Sequence, residues 1–173
     1  MKNGFIRVAA ATVETVPADI VGNLARIKEK MDRADAAGVS LLVFPELCLC
    51  GVTAMDLLSS SLLLQKAQDA VLSLKAYTRG RAMISVVGFP FLANGKIYNA
   101  AAVLADGRVL GIVPKSVPTV RGAFDEGRVF SPAPENAQKV FFGTEEIPFG
   151  KDLVFAHETL SFFRFGVRIR PLA

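Results

Sequence analysis

The strongest constraint on this chain is a switch between two hydrophobic periods. Residues Ile20, Leu24, Ile27, Met31 and Ala34 recur at steps of 4, 3, 4 and 3, which places them on one face of a helix. On either side lie short runs that are apolar almost throughout, residues 5–10 (FIRVAA) and 40–44 (SLLVF). Such runs suit strands covered on both sides, and a helix with one apolar face suits the role of cover. Gly38 is a natural stop for the helix, and Pro45 ends the strand before it because proline cannot donate to a sheet ladder. The pattern then repeats. A second helix is expected over residues 61–78, with Leu64, Ala67, Val71 and Leu74 on its apolar face, followed by a strand at 83–89 (MISVVGF). Asn94-Gly95 reads as a hairpin turn, and strands 97–104 and 108–113 pair around a second turn at Asp106-Gly107. Residues 114–134 read as a long loop, with short strands at 139–142, 152–156 and 162–169. Strand, helix, strand, helix and then hairpins predict an α/β chain with a mixed sheet.

Composition fits that reading. At 173 residues the chain is long enough for one domain with a sizeable core. It is 51% hydrophobic with a mean hydropathy of +0.39, as buried strands require. It has no run of about 18 uncharged apolar residues, so no transmembrane helix is expected. Arg7 interrupts the short apolar stretch near the N-terminus, which argues against a cleaved signal peptide. The net charge of +4 comes from 20 basic and 16 acidic residues that are scattered rather than gathered into the stripe a nucleic-acid surface needs. Neither nucleic acid nor membrane is expected as a partner. Cys48 and Cys50 stand one residue apart with no second Cys or His pair behind them, so they do not read as a metal site. Two small residues beside a strand end in a reducing, cytoplasmic protein is the simpler reading.

Four positions invite chemical interpretation. Glu46 follows the strand at 40–44 directly, where sites in α/β sheets collect. Phe44 and Leu47 beside it would partly desolvate it, which favours a general base; a loop acid facing water is the alternative. Lys115 stands just past the strand at 108–113 and can aim an ammonium at a developing oxyanion, although a lone lysine is ordinarily a surface residue. Glu126 lies in the following loop, where a solvated acid is the alternative. His157 is the only histidine and reads as structural, since one histidine makes no usual zinc site. Neither a phosphate-cradling Gly-rich loop nor a Gly-x-Ser-x-Gly elbow is present.

Taken together, these segments resemble the nitrilase (carbon–nitrogen hydrolase) superfamily, and within it the N-terminal glutaminase domain of bacterial glutamine-dependent NAD synthetases. The residues that carry the likeness are Val43-Phe44-Pro45-Glu46-Leu47 with Leu49, Gly51 and Asp56-Leu57; Ile97-Tyr98-Asn99; Gly111-Ile112-Val113-Pro114-Lys115-Ser116; Pro148-Phe149-Gly150 with Asp152-Leu153; and Phe165-Gly166-Val167. The resemblance implies a nitrilase-like α-β-β-α sandwich, here incomplete, with its C-terminal half missing. Residues 1–167 would be the partial glutaminase domain and 168–173 a divergent tail. It implies Glu46 as general base, Lys115 as oxyanion-stabilising lysine and Glu126 as a second acid. It also implies glutamine as substrate, homo-oligomers in the full-length family, no cofactor within this chain, and ATP used by a synthetase domain not contained in it.

The family's nucleophile is a cysteine at the end of a later strand. The matching stretch here reads Gly166-Val167-Arg168-Ile169-Arg170. Arg170 occupies the cysteine position and Arg168 that of the preceding glutamate. Arginine stays protonated and cannot attack a carbonyl. An Arg170–Glu46 ion pair or a displaced tail is expected. Gly51-Val52 replaces the family's common Gly-Tyr, and Val117 and Val120 stand where the following loop usually has aromatics. Three functions remain in view: a glutaminase-derived domain without activity as it stands, a pseudo-amidase that serves protein association, and an active amidase drawing on an unexpected cysteine.

Overall fold

The computed structural model describes residues 5–121, 124–157 and 164–169. Strand β1 (Val8–Ala10) leads to helix α1 (Ile20–Ala36), strand β2 (Leu41–Val43), a 3-10 segment (Val52–Ser59) and helix α2 (Ser61–Tyr77). Three longer strands follow, β3 (Ile84–Ala93), β4 (Lys96–Ala105) and β5 (Arg108–Pro114). The loop beyond them holds a small ribbon of β6 (Val120–Arg121) and β7 (Phe124–Asp125). Strands β8 (Gln138–Phe142), β9 (Glu145–Phe149), β10 (Val154–Ala156) and β11 (Arg164–Gly166) come last.

The main sheet has the order β1-β2-β3-β4-β5-β9-β8. β1, β2 and β3 are parallel, β3-β4-β5 form an antiparallel meander, β9 runs parallel to β5, and β8 is antiparallel to β9. The mixed α/β sheet expected from the sequence is present. Both hairpin turns form where Asn-Gly and Asp-Gly stand, with positive φ at Asn94, Gly95, Asp106 and Gly107, the backbone that tight two-residue turns require. Helix α1 starts at Asp19, whose carboxylate accepts from the Gly22 N–H at 3.0 Å. It ends where Gly38 takes φ +69°. β9 was not expected: its acids and Pro148 obscure a short alternation that turns only Ile147 and Phe149 inward. The strand expected at 162–169 is shorter, Arg164–Gly166, and residues 162 and 163 lie outside the described part.

Side chains alternate between two faces of the sheet, as strand geometry dictates. On one face Val87, Phe89, Phe91, Tyr98, Ala100, Ala102, Phe142 and Phe149 pack in the same cluster as Ile27, Met31, Ala67, Val71 and Leu74 of the two helices. The rings interlock, with centroids 5.7 Å apart for Phe91 and Phe142 and 5.0 Å for Tyr98 and Phe149. On the second face Ile84, Val86, Ala101, Val103 and Val113 form a thinner cluster with Phe155 and Ile169, over which the β10–β11 hairpin folds. Gly111 lets that hairpin close: a Cβ there would stand 3.0 Å from the Phe155 ring and 3.1 Å from Leu153. Cover on this face is partial, since Val8 and Val43 stay exposed. A bulge between Val103 and Leu104 of β4 leaves Leu110 of β5 without a partner.

Candidate active site

β2 and β5 end at the same rim of the sheet, but β3 and β4 lie between them. Three strand spacings amount to roughly 14 Å, too far for a glutamate on β2 to meet a lysine on β5 directly. The chain after β2 closes that gap by crossing over β3. Phe44 N–H donates to Val86 O at 2.9 Å, Leu49 N–H to Gly88 O at 3.4 Å, and the backbone of residues 45–47 lies against Gly88 between them. A Cβ at position 88 would stand 2.7 Å from Leu47 N and 2.8 Å from Glu46 Cα, and nearer still to Pro45 O. Only glycine admits that approach. The crossing loop is anchored beyond: Leu47 turns with φ +50°, residues Leu47 to Cys50 are buried, and the buried Asn23 amide of α1 donates to Leu49 O at 3.0 Å.

The crossing delivers Glu46 to Lys115. Lys115 Nζ donates to Glu46 Oε2 at 2.8 Å and lies 3.0 Å from Glu126 Oε2. Asn99 Nδ2 donates to Glu46 Oε2 at 2.8 Å and to Glu126 Oε1 at 3.1 Å. The main chain fixes the lysine as well, because its N–H donates to Asn99 O at 2.7 Å and its carbonyl accepts from Ala133 N–H at 3.1 Å. The Lys115 side chain is 6% exposed and that of Glu126 2%, whereas Glu46 is 35% exposed. Burial alone would push the Glu126 carboxyl up. The Thr119 N–H at 2.6 Å and the Lys115 ammonium outweigh that and hold it below the usual carboxylate range. Glu126 is thus a fixed anion behind the ammonium. Glu46 is the carboxylate that borders open space, a cleft of about 240 Å³ lined by Phe44, Val86, Gly88, Ala101 and Ile169 among others.

The three positions singled out from the sequence therefore converge, and neither a surface lysine nor a solvated loop acid describes Lys115 or Glu126. Arg170, which the family resemblance sets at the cysteine position, lies outside the described residues, as does any contact it makes with Glu46. Arg168 is exposed and pairs with Asp152 at 3.2 Å. Cys48 and Cys50 are buried, and desolvation pushes both thiols up to about 12, so neither supplies a thiolate near neutral pH. Among the described residues no group of His, Cys, Asp and Glu is placed to hold a metal ion, and no helix is long and apolar enough to cross a membrane. Two residues of the site had no assigned role from sequence. Asn99 could have been found as a polar side chain inside an otherwise apolar strand, which must have a partner when buried. Gly88 carried no local signal, because its role depends on a chain segment that crosses it from elsewhere.

The carbon-nitrogen hydrolase family model matches residues 7–166. The chain belongs to that family. A glutamine-dependent NAD(+) synthetase from Mycobacterium tuberculosis is 37% identical over 169 residues, which is 97% of this chain and 25% of that protein. The solved structure of a glutamine-dependent NAD(+) synthetase from Cytophaga hutchinsonii superposes with a TM-score of 0.82 at 26% identity, over 88% of this chain and 26% of that one. An amidase from Nesterenkonia shares the fold, with a TM-score of 0.65 at 21% identity over 86% of this chain and 56% of that one. This carbon-nitrogen hydrolase chain spans about a quarter of the length of the curated relatives it matches. Its main sheet with helices on one face corresponds to part of those folds.

Proposed function

We propose that this chain carries the acid–amine half of a glutaminase site, of the kind that supplies ammonia for the ATP-dependent amidation of deamido-NAD by a further domain. The observation that carries the reading is the buried Lys115 ammonium held 2.8 Å from a cleft-facing Glu46. Amide hydrolysis through a thiolate needs a base that accepts the thiol proton and returns it to the leaving ammonia, and Glu46 is the reachable carboxylate for both transfers. It also needs a cation at the tetrahedral oxyanion. Lys115 has three donors, two of them directed at Glu46 and Glu126, and the third is available to that oxygen. Glu126 keeps the lysine charged and pointed. The nucleophile is the missing part: Arg170 stands in its sequence position, and the two cysteines are buried thiols. We therefore expect these 173 residues alone to bind glutamine weakly and not to turn it over.

Two measurements on the isolated chain test this. Millimolar glutamine should perturb the amide resonances of Lys115 and the side-chain amide of Asn99 more than glutamate does. Perturbation by simple amides but not by glutamine would assign the site to another substrate. Ammonia release from glutamine should stay at the blank, and turnover that vanishes in Cys48→Ala or Cys50→Ala would overturn the inactive reading. One observation favours a second reading, a non-catalytic association module: Val8 and Val43 leave an apolar strip on the second face uncovered. Light scattering that finds only monomer at high concentration removes its support.

A further inference from the structure

We propose that Asn99 is a positioning residue that clasps the two carboxylates of the site and seats Glu46 on the lysine. Its placement is unusual for β4. From Ala100 to Ala105 that strand is composed of Ala, Val and Leu, and the odd-numbered members Ala101, Val103 and Ala105 lie in the apolar cluster of the second face. Asn99 continues that row to the rim, fully buried, where the charged groups facing it among the described residues are Glu46, Lys115 and Glu126.

Among the described residues, both hydrogen bonds of its side chain run in one direction. The amide nitrogen donates to Glu46 and to Glu126, while Oδ1 is buried without a hydrogen-bond partner among the described residues. Turning the amide over would set an acceptor against two carboxylate oxygens, so the charges themselves fix its orientation. A side chain retained only for packing would be better served by an apolar isostere, which leaves no acceptor stranded. The same residue also accepts from the Lys115 N–H through its own carbonyl. One residue thereby sets the position of all three charged groups: the lysine through the main chain and both acids through the amide. Two carboxylates that share one ammonium repel each other, and the amide's two N–H groups give each a separate, directed partner. The role is independent of which amide the cleft accepts.

The test is NMR of the side-chain carboxyl carbons of Glu46 and Glu126 in the 173-residue chain, with a pH titration of Glu126, wild type against Asn99→Leu, an isostere with no donor. Loss of a donated hydrogen bond disfavours the charged form, so the Glu126 midpoint should rise, and the Glu46 carboxyl signal should shift as that group leaves its seat on the lysine. Backbone shifts of residues 100–105 should stay in place. Should Asn99→Leu not fold, Asn99→Ser keeps one short donor and should move the Glu126 midpoint or the Glu46 carboxyl signal. A folded variant of either kind with the wild-type Glu126 midpoint and an unmoved Glu46 carboxyl signal overturns the proposal. Glutamine turnover plays no part in the readout, so this result and that of the glutaminase reading stand or fall separately.

Discussion

The two faces of the main sheet are built by the same strands, residue by residue in alternation, and they differ in what they carry. Under the helices the aromatic residues gather: Phe89, Phe91, Phe142 and Phe149 interlock with Tyr98, beside the smaller Val87, Ala100 and Ala102. On the second face they are small or branched, Val86, Ala101, Val103 and Val113, and toward the rim the row ends in Gly88, Asn99 and Lys115. The first face buries more apolar area per residue and so holds most of the stability. The second keeps backbones within reach of each other, which is what a crossing loop and a cluster of charges require. Stability and chemistry are thus separated by one residue of strand register.

Several substitutions would break or sharpen that contrast. The largest expected effect is Phe91→Ala, which empties a ring site on the helix face and should cost about 3–5 kcal/mol in urea unfolding. Val86→Ala on the second face removes two buried carbon groups and should cost roughly 1.5 kcal/mol; equal losses would erase the distinction. Lys115→Met should approach the first value near neutral pH, at about 3–5 kcal/mol, because it strands the buried Glu126 without its cation. Part of that loss should return as the pH is lowered far enough for Glu126 to take up a proton, measured by urea titrations at stepped pH. Gly88→Ala should cost roughly 1–3 kcal/mol by overpacking. Hydrogen exchange should speed up at the Leu49 amide while the helices remain protected.

The smallest effect concerns slope rather than midpoint. The Glu126 carboxyl sits below its ordinary range in the folded chain. Its contribution to stability is therefore complete above the unfolded value of about 4.3 and is lost as the pH falls through the lower folded value. Glu126→Gln should flatten that acid limb of the stability profile; an unchanged limb would show that the carboxylate is not held by its partners.

Much of this was legible in the sequence, and the exceptions have a common cause. Both helices, both tight turns and the strands around Glu46 and Lys115 follow from local periodicity and turn chemistry. The convergence of Glu46 and Lys115 came from the family resemblance, since nothing local says that a loop after β2 will cross β3. The role of Gly88 is set by the backbone of residues 45–47, about 40 positions away along the chain, and that of Asn99 by the Glu46 side chain, about 50 positions away. β9 was hidden because a strand that opens on Glu145 and carries Glu146 and Pro148 on its outer side shows only two apolar residues.

The unpaired Leu110 has a consequence for the lysine. Counting from Val109, which faces the helices, strict alternation would put every further odd position of β5 on that same side, Lys115 included. The extra residue shifts the parity, so that Ile112 faces the helices and Val113 the opposite side. The ammonium emerges toward Glu46 for that reason. The bulge is what absorbs Leu110: a strand that kept this residue without bulging would turn the cation into the aromatic core, whereas deleting Leu110 would leave Gly111 to Lys115 in their present register and the site in place.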